Sequence, residues 1–144
     1  MTELLCHTDS YLKKFTAKVV SVNAETRSLF LDRTAFYPGG GGQLCDTGIL
    51  KIDCIDYPVT RVKKTPDGIA HEIGEGRDLP SVGSEVTGEI DWDRRYKLMR
   101  THTAMHILCG VVFRDYGAQV TGGDMEPLSG RMDFEFENLS KDLV

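Results

Sequence analysis

Residues Ser84–Asp93, with the sequence SEVTGEIDWD, mark the point at which the chain changes its secondary structure. In the first part of this segment, apolar Val86 and Ile90 alternate with polar neighbours, a period of two that is typical of a strand with one buried face. Beyond it, Asp93–Tyr116 contains no proline and a single glycine, and its apolar residues predict a helix. We expect one of the two aspartates at its start to be the N-cap and Gly117 to follow its last turn.

Five further candidate strands precede this segment, each rich in Val, Ile, Thr or Phe and each bounded by turn residues. They are Phe15–Val22, Arg27–Asp32, Thr47–Ile55, Val59–Lys64 and Gly68–Ile73. Together with Ser84–Asp91 they make six short strands, which favours a small closed barrel because closure removes the exposed edges of a sheet. We therefore predict a β-barrel domain over residues 1–91 that includes a glycine-rich loop.

The remaining part of the chain, residues 92–144, has too few elements to close a core by itself. After the helix we expect a glycine-marked loop at Thr121-Gly122-Gly123 and an alternating strand over Arg131–Phe136. Leu139–Val144 predicts the first turn of another helix. We expect a mainly β chain with an α+β second domain, and we expect these residues to be a fragment of a longer protein.

The composition limits the classes of protein to which the chain could belong. Of its 144 residues, 40% are hydrophobic and 27% are charged, which indicates a globular protein. The net charge of -5 argues against coating of nucleic acid by the whole surface, although a local basic patch remains open. The longest stretch without a charged residue, Thr101–Phe113, is too short to span a bilayer, and four scattered cysteines predict reduced thiols. We expect a cytoplasmic protein that does not contact a membrane.

Two histidines, His102 and His106, are four residues apart in the predicted helix. This spacing places both side chains on one face, about one turn apart, and suits the binding of a metal such as zinc. Two partly buried core histidines would have the same spacing, so both interpretations stay open. Cys109 could be a third ligand, but a cysteine among apolar neighbours is more often part of a core.

Four consecutive glycines, Gly39, Gly40, Gly41 and Gly42, follow the aromatic pair and proline of Phe36-Tyr37-Pro38. Such a run could let a phosphate or another backbone approach closely, or it could be a flexible hairpin connection. The aromatic pair favours an anchored loop.

A basic segment with no acidic residue begins the predicted helix. It contains Arg94, Arg95, Lys97 and Arg100. The segment could be a solvated helix surface or a patch for nucleic-acid phosphates, one turn before the histidines.

Taken together, three motifs resemble the editing region of alanyl-tRNA synthetase and, more closely, the free-standing AlaX family of alanyl-tRNA editing proteins. They are FYPGGGGQLCDTG at 36–48, RTHTAMHIL at 100–108 and RMDF at 131–134. Their order and approximate spacing match over almost the whole chain. The resemblance implies a translation-factor-like β-barrel followed by the start of an editing domain of the threonyl- and alanyl-tRNA synthetase type.

The same resemblance implies an activity, a metal and a partner. The family hydrolyses the ester that joins a wrong amino acid, chiefly serine and in some members glycine, to tRNA(Ala). Its zinc would be held by His102 and His106 with a Cys-x-x-x-His pair further along. Because no Cys or His follows Cys109, we expect zinc binding by this chain to be weak or absent. The partner implied is the acceptor end of tRNA(Ala) with its attached amino acid, whose phosphates would meet Arg94–Arg100.

Three polar residues are candidates for contact with the amino acid. Thr121 resembles the family's threonine that contacts the serine side chain, and Gln119 is a second choice. Thr103 points from the helix with the histidines and could contact the amino acid or hydrogen-bond its own helix backbone.

We therefore expect a metal-dependent aminoacyl-tRNA ester hydrolase that acts in trans in its full-length form. The alternative is a non-catalytic tRNA- or protein-binding module, because the second half of the metal site is missing. A different metallohydrolase on a barrel scaffold is a third interpretation.

Overall fold

The computed structural model describes residues 2–136 of the chain. Its elements, in chain order, are β1 Glu3–Leu4, a 3-10 turn Leu5–His7, β2 Lys14–Asn23, β3 Ser28–Leu31, β4 Arg33–Thr34, β5 Gly48–Ile52, β6 Ile55–Thr65, β7 Gly68–Ile73, β8 Glu85–Ile90, α1 Trp92–Tyr116, β9 Gln119–Glu126 and β10 Ser129–Glu135. The predicted helix turn at Leu139–Val144 lies outside the described residues.

Six strands close into a barrel with the order β2-β3-β7-β6-β5-β8, and every neighbouring pair is antiparallel. The prediction of a small six-stranded barrel is therefore confirmed. One predicted strand, Thr47–Ile55, is wrong at its end, because the backbone turns at Asp53 and Cys54, whose φ angles are 49° and 62°. Two consecutive positive φ angles are typical of a tight hairpin turn, and this one joins β5 to β6 without the glycine that usually indicates such a turn.

The barrel core follows from the alternation that the sequence shows. In β2, Phe15, Ala17 and Val19 are buried while their neighbours are exposed, as a strand with one inward face requires. The Phe15 ring lies where a side chain at position 88 would point, since a Cβ on Gly88 would come within 2.2 Å of it. Gly88 of β8 is therefore required by the packing of Phe15, which meets the Phe36 ring edge to face.

Helix α1 begins and ends as the sequence predicts. The Asp91 carboxylate accepts a hydrogen bond from the Arg94 backbone N–H at 3.1 Å, which makes Asp91 the N-cap. At the other end Gly117 has a φ of 69°, and its N–H donates to the Phe113 carbonyl oxygen.

Strands β9 and β10 form an antiparallel hairpin in which Glu126 pairs with Ser129. The turn is the dipeptide Pro127-Leu128, and the Leu128 N–H donates to the hydroxyl of Thr101 in α1. The predicted loop at Thr121-Gly122-Gly123 is thus wrong, because these residues lie inside β9. Their glycines are needed for close approach, since a Cβ on Gly123 would lie 2.8 Å from the Arg131 carbonyl oxygen.

The chain divides into two compact units. The first comprises Met1–Gly40 and Leu44–Arg95, and the second comprises Gly41–Gln43 and Tyr96–Val144. We call residues 36–43 the glycine-rich segment. Its last three residues, Gly41–Gln43, therefore belong to the same unit as most of α1 and the hairpin. In the part of the chain that the structure describes, no helix combines the length and the apolar character needed to cross a membrane.

Candidate functional site

The imidazole rings of His102 and His106 lie side by side on one face of α1. Their centroids are 4.9 Å apart and their planes differ by 20°, so the rings are stacked. This arrangement follows from their spacing of four residues, which puts one side chain about a turn above the other. Both rings belong to the second compact unit.

The two histidines line a cavity of about 240 Å³ within this second unit. Its other walls come from the glycine-rich segment, α1 and the hairpin, and they consist of Gly41, Gly42, Met105, Cys109, Val120, Gly122, Gly123, Met125 and Met132. Most of these groups are apolar, so the imidazoles and one thiol supply the chemistry of the cavity. The structure thus brings together two of the four predicted loop glycines and both predicted metal ligands.

His102 has a polar partner that the sequence analysis did not identify. Its Nδ1 lies 2.7 Å from Oε1 of Gln43, a residue of the same unit. Burial, and to a lesser degree the neighbouring His106, lower the pKa of His102. The neutral imidazole that this favours is the form that binds metals. Gln43 directly follows the four glycines. Its contact with His102 was not predicted because the two residues are far apart in the sequence.

A metal at this site would meet two imidazole donors of the kind that zinc prefers, which is half of a tetrahedral set. Among residues 2–136 there is no group of three or more His, Cys, Asp and Glu side chains that could hold a metal ion. The Cys109 thiol lies 3.9 Å from the sulfur of Met132, so it packs against another side chain of the cavity. The described residues therefore fit a metal in donor type and fall short in donor number.

The glycine-rich segment has a backbone that requires glycine. The φ angles of Gly39, Gly40, Gly41 and Gly42 are 83°, 133°, 59° and 79°, all in the region that other residues avoid. At its start, the Tyr37 hydroxyl donates to the Gly40 carbonyl oxygen at 2.9 Å. The Tyr37 backbone N–H donates to the Asp46 carboxylate at 2.7 Å, and the Asp46 N–H donates to the Tyr37 carbonyl oxygen at 2.9 Å.

One residue of the predicted basic patch, Arg95, is buried. Arg95 is only 2% exposed, and its guanidinium donates to the Asp46 carboxylate and to the carbonyl oxygens of Ser10 and Ala35. A guanidinium this deeply buried is not accessible to a phosphate. The prediction that Arg95 binds tRNA is therefore wrong, and Arg95 instead stabilises the first unit.

The other three basic residues have different surroundings. Arg94 is half-buried and donates to the Cys45 carbonyl oxygen at 2.5 Å, Lys97 is half-buried, and Arg100 is exposed. Arg100 borders a second groove of the same unit, formed with Ala104, Leu108 and the hairpin turn. Their role in phosphate binding stays a prediction.

The three polar candidates do not line the cavity. Thr103 donates its hydroxyl to the Met99 carbonyl oxygen at 3.0 Å, so it hydrogen-bonds its own helix. Gln119 is the exposed first residue of β9. Thr121 is the extra residue of a β-bulge, because Gly122 pairs with Asp133 and Val120 with Phe134. Its exposed side chain is therefore flanked by two residues that do line the cavity.

Comparison with known proteins adds an independent observation. The family model described as tRNA synthetases class II (A) matches residues 5–94. The chain is 46% identical to the alanyl-tRNA editing protein AlaX-M of Saccharolobus solfataricus, over 96% of this chain and 58% of that protein. It is 44% identical to AlaX-M of Methanosarcina mazei, over 99% of this chain and 59% of that protein.

A longer protein also matches. The alanine–tRNA ligase of Hyperthermus butylicus is 42% identical over 92% of this chain, which corresponds to 14% of the ligase. The chain thus spans well under two thirds of the length of each of these relatives.

Proposed function

This chain belongs to the class II (A) tRNA synthetase family, and we propose that it is part of a hydrolase that removes wrong amino acids from tRNA(Ala). The observation that carries this proposal is the stacked pair of His102 and His106 in a small cavity. Its context supports the same function, because the relatives with 46% and 44% identity are named alanyl-tRNA editing proteins.

The size and lining of the cavity suit a small acyl group. Its volume of about 240 Å³ lies below the roughly 300–1,000 Å³ of sites for drug-sized ligands. Gly41, Gly42, Gly122 and Gly123 contribute no side chains to its walls, so backbone lines much of it. We propose that the aminoacyl ester enters here while the nucleotides of the acceptor end stay outside.

We propose that His102 and His106 hold a zinc ion weakly in this chain and more tightly once two further ligands are supplied. When bound, such an ion polarises a carbonyl group and orients a water molecule for ester hydrolysis. The residues of this chain contribute neutral imidazoles, a largely apolar wall, and the Gln43 amide oxygen, which accepts a hydrogen bond from His102 and orients that ring.

We further propose serine, and in second place glycine, as the amino acids removed. Thr121 is the candidate for contact with the serine hydroxyl, which requires its side chain to turn towards the cavity at the bulge. For the tRNA phosphates, Arg94, Lys97 and Arg100 are the candidates that remain after the exclusion of Arg95. We also propose that the barrel has a translation-factor-like fold.

The second candidate function is a tRNA-binding module without catalysis. The observation in its favour is that the described residues contain no group of three or more side chains that could hold a metal ion. Binding without hydrolysis would follow if the missing donors are never supplied.

The experiment that tests the proposal measures deacylation by this chain and by the product of the gene's uninterrupted reading frame. The substrates are seryl-, glycyl- and alanyl-tRNA(Ala), each with and without added zinc. We expect hydrolysis of seryl-tRNA(Ala), with alanyl-tRNA(Ala) spared, in whichever product contains a Cys-x-x-x-His pair. Tight binding of all three substrates without hydrolysis in both products would contradict the proposal and favour the binding module.

A further inference from the structure

The side chain of Gln43 is buried and makes a specific contact. Only 9% of the residue is exposed, and its Oε1 lies 2.7 Å from Nδ1 of His102. The two residues are 59 positions apart in the sequence and belong to the same compact unit. A buried amide whose carbonyl oxygen contacts one ring nitrogen constrains the imidazole in two ways. It fixes the orientation of the ring, and it determines which ring nitrogen carries the hydrogen.

The position of the hydrogen on the His102 ring follows from the chemistry of the two groups. A neutral imidazole has one N–H donor and one nitrogen with a lone pair, and a carbonyl oxygen can only accept. With Oε1 facing Nδ1, the hydrogen must be on Nδ1, and the lone pair is then on Nε2. The opposite orientation of the amide would place its NH₂ group against Nδ1 and reverse the tautomer, so the two cases are experimentally distinct.

The glycine run accounts for the position of Gln43. Four successive positive φ angles, ending with 79° at Gly42, form a turn that residues with side chains adopt only under strain. A Cβ on Gly42 would lie 3.5 Å from the Gly123 carbonyl oxygen, so the backbone passes close to β9 immediately before Gln43. The turn thus brings Gln43 within hydrogen-bonding distance of α1.

We propose that Gln43 is a positioning residue, which fixes the Nδ1–H tautomer of His102 and keeps its Nε2 as the basic atom of the histidine pair. Ring orientation matters here because His102 stacks on His106. Partners that hydrogen-bond the second nitrogen of a metal-binding histidine fix its tautomer and orientation, and their loss typically weakens metal binding about 10–100-fold. The metal consequence rests on the proposed function, whereas the tautomer does not.

The alternative is a purely structural role, in which Gln43 only fills space and the contact only provides its amide with a hydrogen-bond partner. Two variants separate the roles. Gln43→Met keeps the length and volume of the side chain and removes the acceptor, while Gln43→Glu keeps an acceptor at the same distance. Leu44→Ala, an exposed neighbour in the chain, serves as the control because it leaves the Gln43 contact in place.

The first measurement is the tautomer of His102 in the metal-free chain at about pH 8, read from the nitrogen-15 shifts of its ring and assigned with His102→Ala. We expect Nδ1–H in the unaltered chain, in Gln43→Glu and in Leu44→Ala, and a shift towards Nε2–H in Gln43→Met. An Nε2–H tautomer in the unaltered chain overturns the proposal without any substitution, and so does an unchanged Nδ1–H tautomer in Gln43→Met.

The second measurement is the affinity for zinc, obtained by competition with a chromophoric chelator. We expect Gln43→Met to bind zinc about 10–100-fold more weakly than the unaltered chain, and Gln43→Glu to bind at least as well as the unaltered chain. Equal affinity in Gln43→Met and the unaltered chain overturns the positioning role. Because neither measurement uses tRNA, a failure to hydrolyse aminoacyl-tRNA would contradict the proposed function and leave this inference intact.

Discussion

Asp46 and Arg95 form a buried ion pair, in which Nε of the guanidinium lies 2.8 and 2.9 Å from the two carboxylate oxygens. The two side chains are 1% and 3% exposed. Asp46 also accepts the Tyr37 N–H, so a single carboxylate connects the start of α1 to the start of the glycine-rich segment within the first unit. Losing either partner would leave an uncompensated charge in the interior.

We therefore predict that Arg95→Met or Asp46→Asn destabilises the chain by about 3–5 kcal/mol, the cost of breaking a buried pair from one side. Urea unfolding followed by circular dichroism measures the change. The matched control is Lys14→Met, which breaks an exposed pair with Glu89 and should cost at most about 1 kcal/mol. Similar small losses for all three variants would contradict a structural role for the buried pair.

The second prediction concerns acid stability and His71, which is fully buried in the barrel. Burial lowers its pKa to about 4, against opposing effects of backbone carbonyl groups, and its Nδ1–H donates to the Leu29 carbonyl oxygen. In the unfolded chain the histidine has a pKa near 6.5. The unfolded state therefore binds a proton more readily, and stability falls as the pH drops from about 6.5 towards 4.

We expect this histidine to account for a loss on the order of 3 kcal/mol across that window. Urea unfolding at several pH values, for the unaltered chain and for His71→Gln, isolates the contribution from those of the carboxylates. The stability difference between the two proteins should shrink as the pH falls. A difference that stays constant between pH 7 and pH 4 would mean that His71 does not titrate differently on folding.

The third prediction concerns Gly41 and Gly42, which line the cavity and have positive φ angles. Replacing either by valine adds backbone strain of about 1–2 kcal/mol and places atoms in the cavity, so zinc affinity and deacylation should both fall. The barrel should keep its melting temperature, since these residues belong to the second unit. Gly76→Val is the matched control, because Gly76 has a φ of 93° and no neighbours near its Cβ position. Loss of barrel stability in parallel with activity would favour a purely structural hairpin.

The extent to which the sequence predicts this structure depends on how local each feature is. Apolar composition and bounding turn residues, with alternation in several strands, were enough to locate the six barrel strands, and an aspartate cap and Gly117 were enough for the limits of α1. The turn at Asp53 and Cys54 was missed because Cys54 occupies the position where a glycine usually indicates such a turn.

Features that depend on tertiary contacts could not be predicted in this way. Arg95 has the sequence surroundings of a surface residue, and only its pairing with Asp46, 49 positions away, buries it. The glycines of β9 indicated a loop, whereas they serve to admit Met105 and a neighbouring strand. Likewise, nothing in the local pattern around Gln43 predicted a contact with His102. Helical spacing alone, in contrast, correctly placed the two histidines side by side.

The fourth prediction concerns Thr121, and it applies to a form of the protein that deacylates tRNA. Thr121→Val keeps the shape of the side chain and removes its hydroxyl. Loss of one hydrogen bond to the serine hydroxyl costs about 1–3 kcal/mol, which slows hydrolysis of seryl-tRNA(Ala) roughly ten- to a hundredfold. Glycyl-tRNA(Ala) has no side-chain hydroxyl, so its hydrolysis should change little. Equal slowing of both substrates would reject a role in specificity and indicate that Thr121 only supports the bulge.

The most direct test of the central claim is the single-turnover rate of seryl-tRNA(Ala) hydrolysis in three histidine-to-alanine variants of the deacylating form. His102→Ala and His106→Ala should each lose more than about a hundredfold in rate, because removal of a ligand costs more than removal of its hydrogen-bond partner. His7→Ala, which removes an exposed histidine from the 3-10 turn of the first unit, should keep the full rate. Full activity in His102→Ala or His106→Ala would contradict the claim that this histidine pair forms the active centre.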